Sequence, residues 1–314
     1  MIFQDVESAR QKYLEKRHRI WRRGFIILLI AALAALVIVI TNYHSNFSYL
    51  LGAGVFIAFF GLTAIAIVAA LATSKDAALY RKAYKAYFVQ QTLAATFTDL
   101  RYDHAAGLDR ALLRATGMIS TGDVYRSNDL TMAKYKDVKF IQADTHIQTE
   151  STDSDGHTTY FTIFKGRFMI FEFPKKFDHR LELIGKHFGS SARIPGKNPT
   201  TGRKMSRIST ESTDFNHAFK TYGEDGFEAY YLLDPAFIER VTAISTANNN
   251  KILLGFLDNT LLIGLNNGKD SFEPPSPRHP LDEKTELQKV LSDIKLITDF
   301  VDLLRLDKNR SQRA

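Results

Sequence analysis

Two apolar runs near the N-terminus, FIILLIAALAALVIVIT (Phe25–Thr41) and YLLGAGVFIAFFGLTAIAIVAALAT (Tyr49–Thr73), decide how this chain is organised. Neither run carries Lys, Arg, Asp or Glu. A bilayer core of about 30 Å needs about 20 apolar residues at a rise of about 1.5 Å each. The second run is long enough by itself, and the first suffices if Arg22 and Arg23 reach out to the interface. Because the connector is short, the two runs are predicted to form a transmembrane helical hairpin.

Two other interpretations of these runs are less consistent with the sequence. A cleaved signal peptide would have a shorter apolar run and a cleavage site of small residues, and a second span would not follow at once. Buried core helices of a soluble protein would not leave the whole stretch from Gly24 to Ser74 without Lys, Arg, Asp or Glu and with His44 as its only basic side chain.

Positive charge flanks the predicted hairpin but not its connector. The first 24 residues carry seven Lys or Arg and three acidic residues, and Lys75 begins a second basic flank after the hairpin. Cationic flanks stay on the cytoplasmic side of a membrane, so both termini are predicted to be cytoplasmic. The formal net charge of +7 is thus concentrated beside the bilayer, which does not indicate nucleic-acid binding. The absence of cysteine excludes disulfides and thiolate metal sites.

The remainder of the chain shows both helical and strand patterns. Residues 74–110 are predicted to be an amphipathic linker helix, with its helical run reaching about Phe97. Tyr80, Tyr84, Tyr87 and Phe88 form an aromatic stripe that faces either the core or a partner. Lys139–Gln148 alternates apolar and polar residues as a half-buried strand does.

Two β-hairpins are predicted from turn residues between strand-like runs. The first joins Thr158–Phe164 to Phe168–Phe173 through Lys165-Gly166-Arg167. The second joins Lys251–Phe256 to Thr260–Gly264 through Asp258-Asn259.

Three helices are predicted in the same region. One lies around Phe215–Tyr222, and one covers Pro235–Ala247 with Asp234 as its N-cap. Phe272–Pro280 is too rich in proline to be regular, and Leu281–Leu306 is the last helix.

The predicted fold class is α+β, with an N-terminal transmembrane helical hairpin followed by a cytoplasmic domain of antiparallel β-hairpins packed with helices. The predicted segments are a basic N-terminus (1–24), the hairpin (25–73), the linker helix (74–110), the α+β domain (111–280) and a C-terminal helix and tail (281–314).

The order of these elements resembles the bacterial domain-of-unknown-function 3137 family. The similarity rests on two N-terminal spans and on a set of short motifs: Asp123-Val-Tyr125, Phe164-Lys165-Gly166-Arg167-Phe168, Ala229-Tyr230-Tyr231-Leu232-Leu233-Asp234-Pro235 and Phe272-Glu273-Pro274. Tyr230 stands where the family pattern has Arg. The resemblance implies a multi-pass protein of the bacterial cytoplasmic (inner) membrane and brings no known activity with it. It also suggests a LemA-like membrane protein as a partner.

No catalytic, cofactor-binding or metal site is predicted. The chain has no phosphate-binding loop and no hydrolase or metalloprotease motif. The stretch around Asp153 and Asp155 lacks the glutamate that closes a calcium loop, which favours a solvated hairpin tip. Asp144, His146 and His157 could ligate a metal if their strands pair, but their spacing favours surface histidines.

A loop rich in basic residues, Ser190–Met205, is the best functional candidate outside the hairpin. If this loop and the hairpin flanks lie at the bilayer, they would contact anionic headgroups; otherwise the loop only adds solubility. The candidate headgroup contacts are Arg22, Arg23, Lys75, Arg193, Lys197, Arg203 and Lys204.

The sequence favours a non-enzymatic binding or scaffold module held at the lipid bilayer. An anionic-lipid sensor of the membrane surface is the second hypothesis, and an enzyme with an unrecognised site is the third.

Overall fold

The computed structural model describes residues 2–41, 47–172 and 179–303 of the chain. The chain divides into two compact units. Unit 1 comprises Met1–Phe88 and Glu273–Glu286, and unit 2 comprises Val89–Phe272 and Leu287–Ala314. Each unit is described by itself.

The described residues form eight α-helices, one π-helical turn and nine β-strands. The helices are α1 (Phe3–Thr41), α2 (Phe47–Tyr84), α3 (Gln91–Thr96), α4 (Arg110–Ala115), α5 (Thr213–Ala218), α6 (Gly226–Leu232), α7 (Pro235–Ala247) and α8 (Glu283–Leu303), and the π-helical turn is Lys85–Gln90. The strands are β1 (Thr98–Asp103), β2 (Val124–Tyr135), β3 (Val138–Thr152), β4 (Thr158–Glu172), β5 (Leu181–Gly185), β6 (Ser206–Ile208), β7 (Phe219–Gly223), β8 (Ile252–Leu257) and β9 (Thr260–Leu265).

In unit 1, α1 and α2 pack against each other in opposite directions. A Cβ atom at Gly24 of α1 would lie 2.7 Å from the side chain of Ile65 in α2, so glycine permits the helices to approach closely here. Toward the other end of the pair, Lys16 Nζ lies 2.7 Å from Asp76 Oδ2.

Much of the apolar surface of unit 1 is exposed. The continuous helical run Gly54–Thr96 is the one helix among the described residues that is long and apolar enough to cross a membrane, and 6% of its most apolar 18-residue stretch is buried. Phe59 is 65% exposed and Val55 64%. Soluble proteins rarely expose so large an apolar patch, which supports association of this helix with a membrane.

The proline-rich segment is irregular, as predicted, and packs on the polar parts of α1 and α2. Arg10 Nη1 donates to the carbonyl oxygens of Pro277, at 3.0 Å, and of His279, at 3.2 Å. The hydroxyl of Tyr80 donates to the carbonyl of Pro275 at 3.3 Å.

The aromatic stripe of α2 and the π-helical turn faces the core of unit 1. Tyr80, Tyr84 and Phe88 are buried, and the ring centroids of Tyr84 and Phe88 lie 4.8 Å apart. Of the two interpretations of the stripe, the core-facing one is confirmed.

Unit 2 is built on a nine-stranded antiparallel sheet in the order β1-β2-β3-β4-β9-β8-β5-β7-β6. Neighbouring strands of this sheet pair antiparallel throughout. The predicted α+β class with an antiparallel sheet is therefore confirmed.

Strand β4 is buried on both faces of the sheet. Phe164 and Phe168 point to one face, where their rings stack with centroids 4.2 Å apart. They join a core that includes Phe188. Phe171 points to the other face, where its ring lies 6.4 Å from that of Phe300 in α8.

The first predicted hairpin is wrong, whereas the second is confirmed. Strand β4 continues through Lys165-Gly166-Arg167, and the turn that begins at Asp153 joins it to β3 instead. The segment stays extended because residues on both sides of Gly166 pair with β3. The hairpin of β8 and β9 turns at Asp258-Asn259 as predicted, with Asp258 in the left-handed region.

Two predicted elements extend too far. The helical run predicted to reach about Phe97 does end at Thr96, but the linker segment 74–110 continues as β1 of the sheet and not as helix. The helix proposed for Phe215–Tyr222 ends at Ala218, and the next residues form β7, whose alternate residues Phe219 and Thr221 are buried. Pairing with the sheet therefore prevails over local helical propensity in both segments.

The last two predicted helices exist. Helix α7 has the predicted bounds, and Asp234 Oδ1 accepts a 2.7 Å hydrogen bond from the backbone N–H of Phe237. Helix α8 begins at Glu283, two residues later than predicted. The end predicted for it, Leu306, lies outside the described residues.

Candidate functional site

The predicted headgroup contacts are all exposed, three of them in unit 1 and four in unit 2. Those of unit 1 are Arg22, Arg23 and Lys75, and those of unit 2 are Arg193, Lys197, Arg203 and Lys204. The structure brings the last four together in one loop, Ser190–Met205, called the basic loop below.

The basic loop folds back on itself around Asn198. Lys197 and Lys204 form a β-bridge, and Asn198 N donates to Arg203 O at 2.8 Å. The side chain of Asn198 also accepts a hydrogen bond from Thr200 N at 2.8 Å. The loop is therefore a defined turn, in which Lys197 and Lys204 lie opposite each other across the bridge.

A buried carboxylate supports this loop. The side chain of Glu224 is 1% exposed, accepts a hydrogen bond from Asn198 Nδ2, and lies 3.7 Å from Arg203 Nη1. Arg203 is thus committed to an internal ion pair. Within the described residues Arg193, Lys197 and Lys204 have no carboxylate partner, so they are the cations that the loop presents to solvent.

A second basic surface lies on the last three strands of the sheet. An open groove of about 470 Å³, called the cationic groove, is lined by Lys186, Arg207, Thr213, Asn216, His217, Phe219 and Lys220. Lys186 directly follows β5, Arg207 lies in β6 and Lys220 in β7. Sequence analysis missed this groove because its residues are distant in sequence and meet only through strand pairing.

A buried charge cluster on the α8 side of the sheet was also missed. Arg167 and Asp144 are each 2% exposed, and Arg167 Nε lies 3.0 Å from Asp144 Oδ1. Asp144 Oδ2 accepts from Ser271 N at 3.0 Å, and Arg167 Nη1 donates to Asp293 O at 3.2 Å. The guanidinium also lies 4.4 Å from the ring centroid of Phe272. One signal was present in the sequence, since Arg167 directly precedes the apolar run Phe168–Phe171.

The electrostatics of the cluster favour a structural role. Burial opposes the charge of Arg167, but the charge of Asp144 and its hydrogen bond outweigh burial and raise the pKa of Arg167. Burial raises the pKa of Asp293, against the opposing charge of Arg167. Because the guanidinium is held by a carboxylate, a carbonyl and a ring, the cluster joins α8 to the sheet.

The metal site considered for Asp144, His146 and His157 is not formed. The strands pair, but the register places His146 opposite Lys165, and His157 lies beyond the paired residues, in the turn. The carboxylate of Asp144 is occupied by Arg167. Burial and the charge of Lys165 lower the pKa of His146.

The turn that begins at Asp153 is the solvated hairpin tip that the sequence favours. Asp153 Oδ1 accepts hydrogen bonds from Asp155 N at 3.0 Å and from His157 N at 2.8 Å. The carboxylate thus stabilises its own turn.

The hairpin of β3 and β4 extends beyond the rest of the sheet. Pairing of β2 with β3 ends at Gln148, and pairing of β9 with β4 extends no further along β4 than Arg167. The outer part, Gln148–Thr162, is called the β-arm. It carries Tyr160 at 51% exposure and Phe161 at 55%. Because consecutive strand residues face opposite sides, one aromatic ring lies on each face of the arm.

The family model described as "Protein of unknown function (DUF3137)" matches residues 162–306. No curated protein matches.

A solved structure resembles this chain weakly. It is the crystal structure of the mycobacterial trehalose monomycolate transport factor A, TtfA, with 8% sequence identity and a TM-score of 0.36, over 71% of this chain and 93% of that one. At that TM-score the similarity carries no argument about function. The family match spans β4 from Thr162 onward, the strands and helices that follow it and the whole of α8, and it agrees with the resemblance seen in the sequence. The match over residues 162–306 supports membership of the DUF3137 family of proteins of unknown function.

Proposed function

We propose that this chain is a non-enzymatic binding or scaffold module, anchored in the bacterial cytoplasmic membrane, that recruits another protein through its β-arm. The observation that carries the proposal is the arm itself, a two-stranded ribbon with an exposed aromatic ring on each face. Exposed aromatic side chains of this kind dominate the binding energy of many protein interfaces.

The edges of the β-arm support a binding role. Its two strands pair with each other from Gln148–Thr162 to Thr152–Thr158. Gln148 still pairs with Val124 of β2, and beyond it neither strand pairs with a further strand within the described part of the chain. Glu150 N donates to Asp123 Oδ2 at 2.8 Å, which protects one position on one edge. Natural proteins usually cover or shorten such edges, because an unpaired strand binds other chains. A partner strand added to the arm would pair with these backbone groups.

The anchor is proposed to be a transmembrane hairpin with both termini in the cytoplasm. Its support is the packing of α1 on α2, the exposed apolar side chains of both helices, and the basic residues at the ends opposite their connector. This topology places the β-arm on the cytoplasmic side.

Cysteine labelling tests this topology without background, because the chain has no cysteine. Two single variants, His44→Cys between the apolar runs and Ser154→Cys at the tip of the β-arm, are exposed in intact cells to a membrane-impermeant maleimide. We expect His44→Cys to be labelled in intact cells and Ser154→Cys only after lysis. Labelling of Ser154→Cys in intact cells would contradict the cytoplasmic placement.

The binding role is tested by purifying the full-length protein in mild detergent and identifying what co-purifies. The double variant Tyr160→Ser/Phe161→Ser should lose a stoichiometric membrane-protein partner that the unaltered protein retains. A LemA-like membrane protein is the specific candidate. Leu112→Ser is the matched control, since Leu112 is also exposed, at 45%, but lies outside the arm. Equal recovery with both variants would contradict the proposal.

An anionic-lipid sensor is a second candidate, favoured by the exposed cations of the basic loop. Full-length protein with Lys197→Gln/Lys204→Gln should then retain less phosphatidylglycerol in native mass spectrometry than the unaltered protein. Each basic residue near an anionic surface contributes about 1 kcal/mol. Unchanged retention would exclude the loop as the lipid contact.

A further inference from the structure

We infer that the cationic groove of unit 2 binds a phosphate group. The cationic side chains that line the groove are Lys186, Arg207 and Lys220, and His217 adds an imidazole. No carboxylate lines it, and the two lysines and Arg207 form no ion pair within the described residues. The site is separate from the β-arm and from the lysines of the basic loop, so it depends on neither function proposed above.

Strand pairing brings the three cations to one groove. Lys220 in β7 lies opposite Ile184 in β5, and Lys186 stands two residues after Ile184. Arg207 in β6 lies opposite Tyr222, two residues after Lys220. Because side chains two residues apart in a strand share a face, Lys220 and Arg207 lie on one face of two adjacent strands. Lys186, in the turn that follows β5, lines the same groove.

An aromatic ring also lies close to the arginine of the groove. The guanidinium of Arg207 lies 5.7 Å from the ring centroid of Tyr222. A cation–π contact of this kind uses the face of the guanidinium and leaves its N–H donors free for an anion. A planar fork of N–H donors matches the oxygen atoms of a phosphate group.

Three cations without a carboxylate partner meet in the groove. Two lysines at the other side of the sheet do have such partners, with Lys134 Nζ 2.6 Å from Asp99 and Lys139 Nζ 3.2 Å from Glu172. Like charges facing each other across strands repel, and a bound anion would relieve that repulsion. The open volume of about 470 Å³ admits a phosphate ester with its substituent. The ester could be a lipid headgroup or a soluble phosphate compound.

Two probes separate these sources, both applied to full-length protein in a neutral detergent. Inorganic pyrophosphate, titrated by calorimetry at fixed ionic strength, represents the soluble source. Phosphatidylglycerol against phosphatidylcholine, measured by native mass spectrometry, represents the lipid source. The test variant is Lys186→Gln/Lys220→Gln. Its control, Lys139→Gln/Lys269→Gln, removes the same charge from exposed positions outside the groove.

The groove variant should bind at least one probe about 25-fold more weakly, about fivefold for each lysine, whereas the control should bind as the unaltered protein does. Weakened pyrophosphate binding assigns the soluble source, and weakened phosphatidylglycerol binding assigns the lipid source. The charge-preserving variant Lys186→Arg/Lys220→Arg should bind normally.

The inference is overturned if the groove variant equals its control with both probes, or if the arginine variant binds as weakly as the glutamine variant. The variant Lys197→Gln/Lys204→Gln reports separately on the basic loop. A failure of the groove can thus be distinguished from a failure of the lipid-sensor function.

Discussion

Gly166 explains why β4 passes straight through a segment that looks like a turn. Its φ of +156° is reached mainly by glycine, and a Cβ atom there would overlap the backbone carbonyl of Leu265. Local composition favoured a hairpin because Lys-Gly-Arg resembles a turn. The true requirement is a close approach between strands that are distant in sequence, and turn statistics do not contain that information.

Replacing Gly166 with alanine should destabilise unit 2 strongly, because backbone atoms must move apart to admit the methyl group. We expect Gly166→Ala to lower the melting temperature of the sheet signal in circular dichroism, or to prevent accumulation of folded protein. Gly196→Ala is the control, since a Cβ atom at Gly196 meets no atom within 4 Å. Equal melting temperatures of the two variants would show that β4 and β9 can move apart at this point without loss of stability.

Asp144→Ala should destabilise the fold by about 3–5 kcal/mol, because it leaves the buried guanidinium of Arg167 without its counter-charge. The measurement is chemical denaturation of the full-length protein in detergent. Glu172→Ala, which breaks the exposed ion pair with Lys139, should cost less than about 1 kcal/mol. If both variants lose a similar free energy of unfolding, the buried pair contributes no more to stability than the exposed one.

Asp293 predicts a pH dependence of stability. Its folded pKa is raised, chiefly by burial, so its protonated form favours the fold. That contribution is fully present below the unfolded pKa of about 3.9 and is lost as pH rises through the folded value. Asp293→Asn should therefore melt at a higher temperature than the unaltered protein near neutral pH. The difference should vanish at acidic pH, and a pH-independent difference would refute this explanation.

At the scale of elements, the N-cap of α7 predicts that removing the capping side chain lowers the stability of this helix. Asp234→Ala removes the acceptor for Phe237 N and should cost about 1 kcal/mol. Asp234→Asn should cost much less, because asparagine caps equally well. Hydrogen exchange of the amides in the first turn of α7 measures the effect. Equal protection in the two variants would show that the cap adds nothing.

Elements with local signals were predicted from the sequence, and elements defined by distant partners were not. Helix α7 carries its own cap and proline, and the β8–β9 hairpin carries its own turn. Strand β7 is five residues long and exists because β5 and β6 flank it. Strand β1 likewise depends on β2. Strands this short contain too few alternating residues to be distinguished in sequence from a continuation of the adjoining helix.

For the whole molecule, the charge-free apolar runs indicated the membrane-type N-terminal region, and periodicity with turn residues indicated the α+β class. The order of strands and the separation into two units could not be predicted, because both depend on contacts across long stretches of sequence. The same limit applies to the candidate sites. The basic loop is contiguous in sequence and was identified, whereas the cationic groove and the buried pair of Arg167 and Asp144 required the register of the sheet.

The proposed anchor predicts how a charge in α2 would affect membrane insertion. Lysine at the centre of a transmembrane helix costs about 2.5–3.5 kcal/mol. Phe59→Lys should therefore reduce the share of full-length protein that resists alkaline extraction from membranes, whereas Phe59→Leu should not. Full retention of the lysine variant would contradict a membrane-spanning α2.

The contact between Arg167 and α8 has a consequence for how the protein is made. Strand β4 leaves the ribosome long before Asp293, whose carbonyl receives one arm of the buried guanidinium. Until α8 emerges, the sheet holds a cation whose hydrogen bonding is incomplete and whose covering helix is missing. Completion of unit 2 therefore waits for the synthesis of α8, and a chain interrupted before Asp293 would present that defect to proteases and chaperones.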